Sequence, residues 1–219
     1  MKSYYNNHVS VQQKNSQEKA QLIFSILNEF VDFKKCVVLD VGCFNGKLTI
    51  ELAKKFKFVK AIDSCKKSIN VARINCPKNV EFQVGNVLFL GFNSNCFDVI
   101  VCNQVIPYLN DFEVFVALKE LKRVIKPNGV IYLSFPNKRF KIDNAGCELK
   151  GVNLKEIIKF FKWLNFKYWD CVPEIVKNSK RYGVKVNWVL RVLQCFPLWF
   201  IRLVSSQSPT HVFVLRVVK

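Results

Sequence analysis

The chain of 219 residues has few of the side chains that build metal centres and disulfide frameworks. It contains only two histidines, and its nine cysteines are an odd number in which none forms a Cys-x-x-Cys pair. We therefore expect no metal site, and we expect the cysteines to be reduced and mostly buried as small apolar side chains. Residues 1–20 contain no apolar core of the kind that a secretory signal needs, which favours a cytoplasmic protein.

Acidic residues are also scarce. The chain contains 16 Asp and Glu against 34 Lys and Arg, so its net charge is +18. A charge of this size raises the hypothesis of a nucleic-acid or anionic-membrane partner. However, basic residues do not alternate with aromatic residues in the manner of an RNA-binding module. Most are lysines spread over solvated helix faces, such as Lys54, Lys55, Lys66 and Lys67. Nucleic acid is therefore not the favoured partner.

A long uncharged apolar run is missing as well. Residues 173–209 are rich in apolar side chains, but they include Lys185, Arg191 and Arg202, so we exclude a membrane span. Pro197 should break or kink this segment. It is expected to form either a lid on the edge of a sheet or an amphipathic, interfacial element that recruits a lipid-like acceptor, which leaves peripheral membrane contact open.

Residues 37–55 carry the most informative pattern in the chain. An apolar, β-branched run ends in Asp40, passes through Gly42 and Gly46, and continues from Lys47 with helical periodicity. The pattern predicts a strand, a tight turn and a helix. Such a turn brings bare backbone and a helix N-terminus together at the carboxyl edge of a sheet, where α/β folds bind nucleotide-like ligands.

Spacing excludes two familiar glycine-rich loops. A phosphate-binding P-loop has four residues between its glycines and a hydroxyl residue after its lysine, whereas here three residues separate Gly42 from Gly46 and Leu48 follows Lys47. A dinucleotide fingerprint needs glycines at positions 44 and 47, which are Phe44 and Lys47. Both of these loops are therefore excluded.

The turn resembles motif I of the class I S-adenosylmethionine-dependent methyltransferases, an acid followed by glycines at alternate positions. Asp40, Gly42 and Gly46 match this motif, and Phe44 departs from it. The resemblance implies S-adenosyl-L-methionine as cofactor. Because a positive φ is costly for phenylalanine, we expect Phe44 to keep an ordinary negative φ. Its ring should then point away from the cofactor, against apolar neighbours or as a wall of the acceptor pocket.

A second short strand ends in Asp63, 17 residues after Gly46. A right-handed crossover would place this acid beside the glycine turn, where its carboxylate can accept hydrogen bonds from both ribose hydroxyls of an adenosine. The alternative is that Asp63 only caps the following helix, expected over residues 64–75.

The third and fourth strands are expected over residues 80–84 and 97–103. In the family, an acid after the third strand meets the adenine amino group; here Asn86 stands there, and its carbonyl can still accept a hydrogen bond. By resemblance, backbone at Cys102 or Asn103 faces the methionine part of the cofactor. The cofactor-binding residues implied are Asp40, Gly42, Cys43, Phe44, Gly46, Asp63, Ser64, Asn86, Val87 and Asn103.

The remaining segments complete an α/β fold. An amphipathic helix is expected over residues 16–30, and a helix capped by Asn110 or Asp111 should run to about Ile125 with Phe112 among its buried residues. A turn with Asn128 in a usual glycine position leads to strand five, residues 130–135. A helix over 154–164, strand six over 165–172 and a last strand over 210–218 follow.

By resemblance, these elements form a Rossmann-like, seven-stranded, mostly parallel sheet in the order 3-2-1-4-5-7-6, with the last strand antiparallel and helices on both faces. We expect one methyltransferase domain over residues 1–219. Residues 1–35 form its N-terminal helical extension and residues 173–209 its amphipathic insertion.

The implied activity is methyl transfer from S-adenosylmethionine to a small-molecule or lipid-like acceptor. No fixed catalytic residue is assigned; Tyr108 or His211 could deprotonate an acceptor, although a structural role is favoured for both. One alternative is an RNA methyltransferase, which only the charge favours. The other is a cofactor-binding but inactive regulatory protein, suggested by the departures at Phe44, Asn86 and Asn128.

Overall fold

A computed structural model describes residues 16–74, 76–136, 154–170 and 210–217. Seven strands form one sheet in the order β3-β2-β1-β4-β5-β7-β6, as predicted. The strands are β1 (Val37–Val41), β2 (Phe58–Asp63), β3 (Val80–Val84), β4 (Phe97–Asn103), β5 (Ile125–Pro136), β6 (Phe166–Asp170) and β7 (Thr210–Val217). Residues 1–15 of the predicted N-terminal extension (residues 1–35) and the whole predicted insertion, residues 173–209, lie outside the described residues.

Five α-helices connect or cover these strands in the described part of the chain. They are α1 (residues 16–27), α2 (Lys47–Ala53), α3 (Lys66–Ala72), α4 (Asp111–Val124) and α5 (Leu154–Trp163). Helix α3 is shorter than predicted at both ends. None of the helices within the described ranges is long and apolar enough to cross a bilayer.

Strand β1 is the centre of the parallel half of the sheet. It pairs in parallel with β2 on one side and with β4 on the other, so that Asp40 lies beside both Ala61 and Val101. Its apolar run is explained by burial on both faces, since helices cover the two sides of a parallel sheet. Because the carboxyl ends of β1, β2 and β4 meet at one edge, the segments that follow them converge there.

The last strand lies antiparallel between β5 and β6, also as predicted. Ser134 of β5 faces Val212 of β7, and Tyr168 of β6 faces Leu215 of β7. This antiparallel pairing completes the second half of the sheet.

Two apolar clusters cover the two faces of the sheet. The first joins α1 and strand residues such as Val38 and Val59, and the second joins α4 and α5 to residues such as Leu39 and Ile100. Helix α4 starts at the predicted cap, because Glu113 N–H donates to Asn110 Oδ1 at 2.9 Å. The prediction that Phe112 is buried is wrong: it is 75% exposed, and the helix turns Val114 into the core instead.

Candidate cofactor and acceptor cleft

The turn between β1 and α2 places three residues in the left-handed region. The φ angles are +74° at Gly42, +48° at Phe44 and +77° at Gly46. Glycine adopts this conformation freely, whereas a residue with a Cβ does so at a cost of about 1–2 kcal/mol. The prediction of a negative φ at Phe44 is therefore wrong.

Hydrogen bonds to the end of β2 explain this backbone. Gly42 N–H and Cys43 N–H both donate to Ile62 O, at 2.8 and 3.0 Å. Phe44 N–H then donates to Asp63 Oδ2 at 2.9 Å. A hydrogen bond to a charged acceptor contributes about 1.5–3 kcal/mol, enough to offset the conformational strain at Phe44. The left-handed turn and the acid therefore depend on each other.

The ring of Phe44 is not packed into the core. The residue is 62% exposed and lies in the lining of the cleft described below. The prediction that the ring lies buried against apolar neighbours is therefore wrong, whereas the alternative, that it forms a wall of the acceptor pocket, stays a prediction. The physical reason is the left-handed backbone, which sends the Cα–Cβ bond in a direction that a negative φ would not allow.

Asp63 is held by two backbone groups. Its Oδ2 accepts from Phe44 N–H at 2.9 Å, and its Oδ1 accepts from Cys65 N–H at 2.8 Å. Helix α3 begins only at Lys66 with Cys65 as its N-cap, so Asp63 does not cap that helix. An ionised carboxylate has about four acceptor positions. Two positions thus remain for ligand hydroxyls, on a carboxylate whose orientation is already fixed.

Asp40 is a second acid at the same edge, and it is only 1% exposed. Burial raises the pKa of its carboxyl to about 6, the hydrogen bond that Thr49 donates at 2.6 Å opposes this rise, and the nearby charge of Asp63 adds to it. A positively charged ligand in the cleft would favour the ionised form of Asp40.

These groups line a single cleft of about 760 Å³ at the carboxyl ends of β1, β2 and β4. Nine of the ten predicted cofactor-binding residues lie in its lining: Asp40, Gly42, Cys43, Phe44, Asp63, Ser64, Asn86, Val87 and Asn103. The exception is Gly46. A Cβ on Gly46 would meet Phe82 Cζ at 2.7 Å and Ala72 Cβ at 2.9 Å, so this glycine is required for packing under the turn.

Gly42 is required for a different close approach. The Val105 side chain lies directly over its Cα, so that a Cβ at this position would overlap Val105 Cγ2. Val105 belongs to the segment after β4 and lines the cleft itself. The two segments that follow β1 and β4 are therefore in direct contact at the floor of the cleft.

Two asparagines complete the polar part of the lining. Asn86 Oδ1 accepts from Leu88 N–H at 2.9 Å, which leaves one lone pair of that oxygen for a ligand. Asn103 Oδ1 accepts from Ser134 Oγ at 2.6 Å, and the next residue, Gln104, has a φ of +62°. Their contacts with a cofactor stay a prediction.

Several residues of the cleft were not predicted as site residues. They include Gln104, Val105, Leu109 and Glu113 after β4, Lys47 and Leu48 on α2, and Ser16 and Lys19 on α1. The strand order could have indicated the first group, because β4 neighbours β1 and the segments after them must meet. No sequence signal indicates that α1 reaches the cleft.

Of the two candidate bases, Tyr108 lies in the lining of the cleft, and it is partly exposed. His211 has its backbone on β7 opposite Phe135, and its side chain falls outside what the structure describes.

The cysteines show a mixed environment. Among those described, Cys36, Cys43 and Cys102 are buried, whereas Cys65 is exposed. Burial raises the pKa of Cys102 to about 12 and also raises the pKa of Cys43. The described residues contain no group of three or more His, Cys, Asp or Glu side chains arranged for a metal ion.

Comparison with known proteins supports one family. A family profile described as "Methyltransferase domain" matches residues 32–184, well over half of the chain. The chain is 29% identical over 182 residues to a ubiquinone biosynthesis O-methyltransferase of Rickettsia prowazekii, covering 82% of this chain and 68% of the relative. It is 30% identical over 121 residues to a protein of the same name from Pelagibacter ubique, covering 54% of this chain. The chain spans about half the length of this second relative, 49%.

A solved structure agrees with this match at the level of the fold. The crystal structure of a SAM dependent methyltransferase from Aquifex aeolicus superimposes with a TM-score of 0.56 at 24% identity, covering 66% of this chain and 79% of that chain.

Proposed function

The chain belongs to the class I S-adenosylmethionine-dependent methyltransferase family, and on this premise we propose that it transfers the methyl group of that cofactor to a hydroxyl oxygen of a small-molecule acceptor. The observation that carries the proposal is the carboxylate of Asp63, oriented by Phe44 N–H and Cys65 N–H at the edge of the cleft. Its two remaining acceptor positions match a ribose with two adjacent hydroxyls.

The described residues fit the cofactor. The cleft of about 760 Å³ falls within the range of about 300–1,000 Å³ usual for small-molecule sites. In this proposal Asp63 holds the ribose, Asn86 and Val87 contact the adenine, and the backbone from Gly42 to Phe44 approaches the cofactor closely. Asn103, fixed by Ser134, faces the methionine part.

When bound, S-adenosylmethionine supplies a methyl group on a positively charged sulfur. The protein chiefly has to align the acceptor and exclude water, a positioning effect that can supply roughly 7–11 kcal/mol. Val105, packed on Gly42, fixes the floor on which both partners would lie. Asp40 adds a buried negative charge that favours a cationic ligand once its carboxyl is ionised.

The nature of the acceptor is supported by the relatives and by the lining. Both relatives reported above carry the name ubiquinone biosynthesis O-methyltransferase, which favours oxygen as the acceptor atom and a small organic molecule as the substrate. Apolar and aromatic side chains also line the cleft, among them Phe44, Leu48, Tyr108 and Leu109. These side chains suit an acceptor with an apolar or lipid-like part.

The proposal is tested by incubating the purified protein with methyl-labelled S-adenosylmethionine and a fractionated lysate. We expect label in small, organic-soluble material. Label on RNA would replace the proposal with an RNA methyltransferase, and saturable cofactor binding without any transfer would replace it with a regulatory, cofactor-binding protein.

A matched pair of variants links the transfer to the cleft. Asp63→Ala should lose most of the label transfer at low cofactor concentration. Asp32→Ala should retain it, because Asp32 also accepts a backbone N–H, from Lys34 at 3.2 Å, but does not line the cleft.

A further inference from the structure

Phe44 occupies a backbone conformation that glycine would adopt at a lower energetic cost. Its φ of +48° lies between two glycines with φ values of +74° and +77°. A bulky residue keeps a left-handed backbone conformation only where contacts with its surroundings enforce that conformation. Such residues cluster at ligand sites. Here the determining contact is the bond from Phe44 N–H to Asp63 Oδ2 at 2.9 Å.

The side chain at this position is also not explained by core packing. Within the described part of the chain, no aromatic ring packs against Phe44, in contrast with Phe24 and Phe33, whose ring centroids lie 5.4 Å apart. Phe44 is 62% exposed while its amide is bonded, so most of its accessible surface belongs to the ring. The ring therefore adds little to the stability of the free protein.

Phe44 takes part in the cleft in two ways. Its N–H donates to the carboxylate that would hold the ribose, and the residue itself lines the cleft. The apolar lining of the cleft includes Leu48, Tyr108 and Leu109 as well as Phe44. A flat side chain on a fixed backbone is suited to select ligands by shape.

We infer that Phe44 is a specificity-determining residue of the acceptor half of the cleft, where its ring forms a fixed flat wall for a hydroxylated acceptor with a flat apolar face. The inference rests on the proposed function. The carboxylate of Asp63, which would hold the ribose, also holds the backbone that carries this ring, so an acceptor against the ring would be positioned relative to the cofactor. Leucine at position 44 would keep an apolar side chain but remove the flat surface.

The experiment compares two alcohols with the same carbon skeleton, 2-naphthol, which is flat, and decahydro-2-naphthol, which is not. Their binding is measured by ligand-observed NMR with and without S-adenosylhomocysteine. We expect the wild type to prefer 2-naphthol by about three- to tenfold, the range that aromatic contacts provide. Phe44→Leu should reduce this preference to about twofold or less.

Phe112→Leu is the matched control, because Phe112 is 75% exposed but does not line the cleft. It should keep the wild-type preference. The inference is overturned if the wild type binds neither alcohol or does not discriminate between them, or if Phe44→Leu still discriminates.

The binding of S-adenosylhomocysteine, measured separately by calorimetry, distinguishes this inference from the proposed function. We expect Phe44→Leu to bind it within a few fold of the wild type. A loss of tenfold or more in that variant would assign the ring to the cofactor and overturn the inference. Failure of the wild type to bind it would contradict the proposed function itself, whatever the two alcohols show.

Discussion

Two turns of this protein hold a side chain where the family resemblance leads one to expect glycine. One lies between β1 and α2 and contains Phe44 at a φ of +48°. The other lies within β5, where the register with β4 shifts, and contains Asn128 at a φ of +65°. Both residues are left-handed, and both were reasons to suspect an inactive protein. Their chemistry and surroundings differ.

Asparagine enters the left-handed region readily because its short polar side chain can bond locally. Asn128 is exposed, and its neighbour Gly129 carries the packing constraint, since a Cβ there would meet Ile125 Cγ1 at 2.7 Å. Phenylalanine has no such local compensation, and Phe44 depends on the carboxylate of Asp63. The departure at position 128 is therefore only a change of turn residue, whereas the departure at position 44 lies at the proposed site.

The largest expected effect is at Gly42, the first residue of the left-handed turn. Gly42→Ala should lower the free energy of unfolding by about 2–4 kcal/mol, because it combines left-handed strain with overlap against Val105. Gly91→Ala is the control, since a Cβ at Gly91 meets nothing within 4 Å. Urea unfolding measures both variants, and equal stability of the two would show that the turn adapts to a side chain.

Next in size is the loss of the ribose acid. Asp63→Ala should weaken S-adenosylhomocysteine binding by about 1.5–3 kcal/mol, tenfold or more. Asp32→Ala should bind as the wild type does. Calorimetry that finds unchanged affinity in Asp63→Ala would remove Asp63 from the cofactor site and leave it only the structural role of accepting hydrogen bonds from Phe44 N–H and Cys65 N–H.

A third effect depends on pH. The folded pKa of Asp40, about 6, lies above the ordinary value near 3.9, so the folded state holds this proton more tightly than the unfolded state does. The resulting stabilisation is complete below about pH 3.9 and is lost as the pH rises through about 6.

Asp40→Asn, which keeps an acceptor for Thr49, removes this dependence. The variant should be more stable than the wild type by about 1–3 kcal/mol at pH 7.5, and the difference should shrink towards pH 5. Unfolding curves at the two pH values measure it. A difference that stays constant with pH would mean that Asp40 does not titrate in this range.

The smallest expected effect is on stability, when each of the two left-handed residues, Phe44 and Asn128, is replaced by glycine. Phe44→Gly removes about 1–2 kcal/mol of strain but adds the backbone entropy of glycine, so it should stabilise the protein by about 0.5–1 kcal/mol. Asn128→Gly should change stability by less than about 0.5 kcal/mol. If both variants shift the thermal midpoint equally, the backbone strain at Phe44 is no larger than the strain at Asn128.

Apolar runs and capping residues were sufficient to predict the strands and the Asn110 cap. The strand order and the antiparallel last strand were expectations from the family resemblance, and both are present. Phe112 was misassigned because helical periodicity allows neighbouring stripes, and only contacts with the sheet decide which stripe is buried.

The cleft was harder to predict than the fold. The acids and glycines of the turn lie in local motifs, so their position could be read from spacing. The conformation of Phe44 could not, because it depends on a hydrogen bond to Asp63, 19 positions further along the chain. The same holds for Val105 over Gly42 and for Lys19 on α1, which reach the cleft through tertiary contacts alone.

The central claim is that a turn with phenylalanine between two glycines still admits S-adenosylmethionine. Calorimetric titration of the wild type and of Phe44→Gly with S-adenosylhomocysteine tests it most directly. We expect saturable binding at one site in both proteins, with affinities within a few fold of each other. No detectable binding to the wild type, together with clear binding to Phe44→Gly, would show that the ring blocks the natural site and would contradict this expectation.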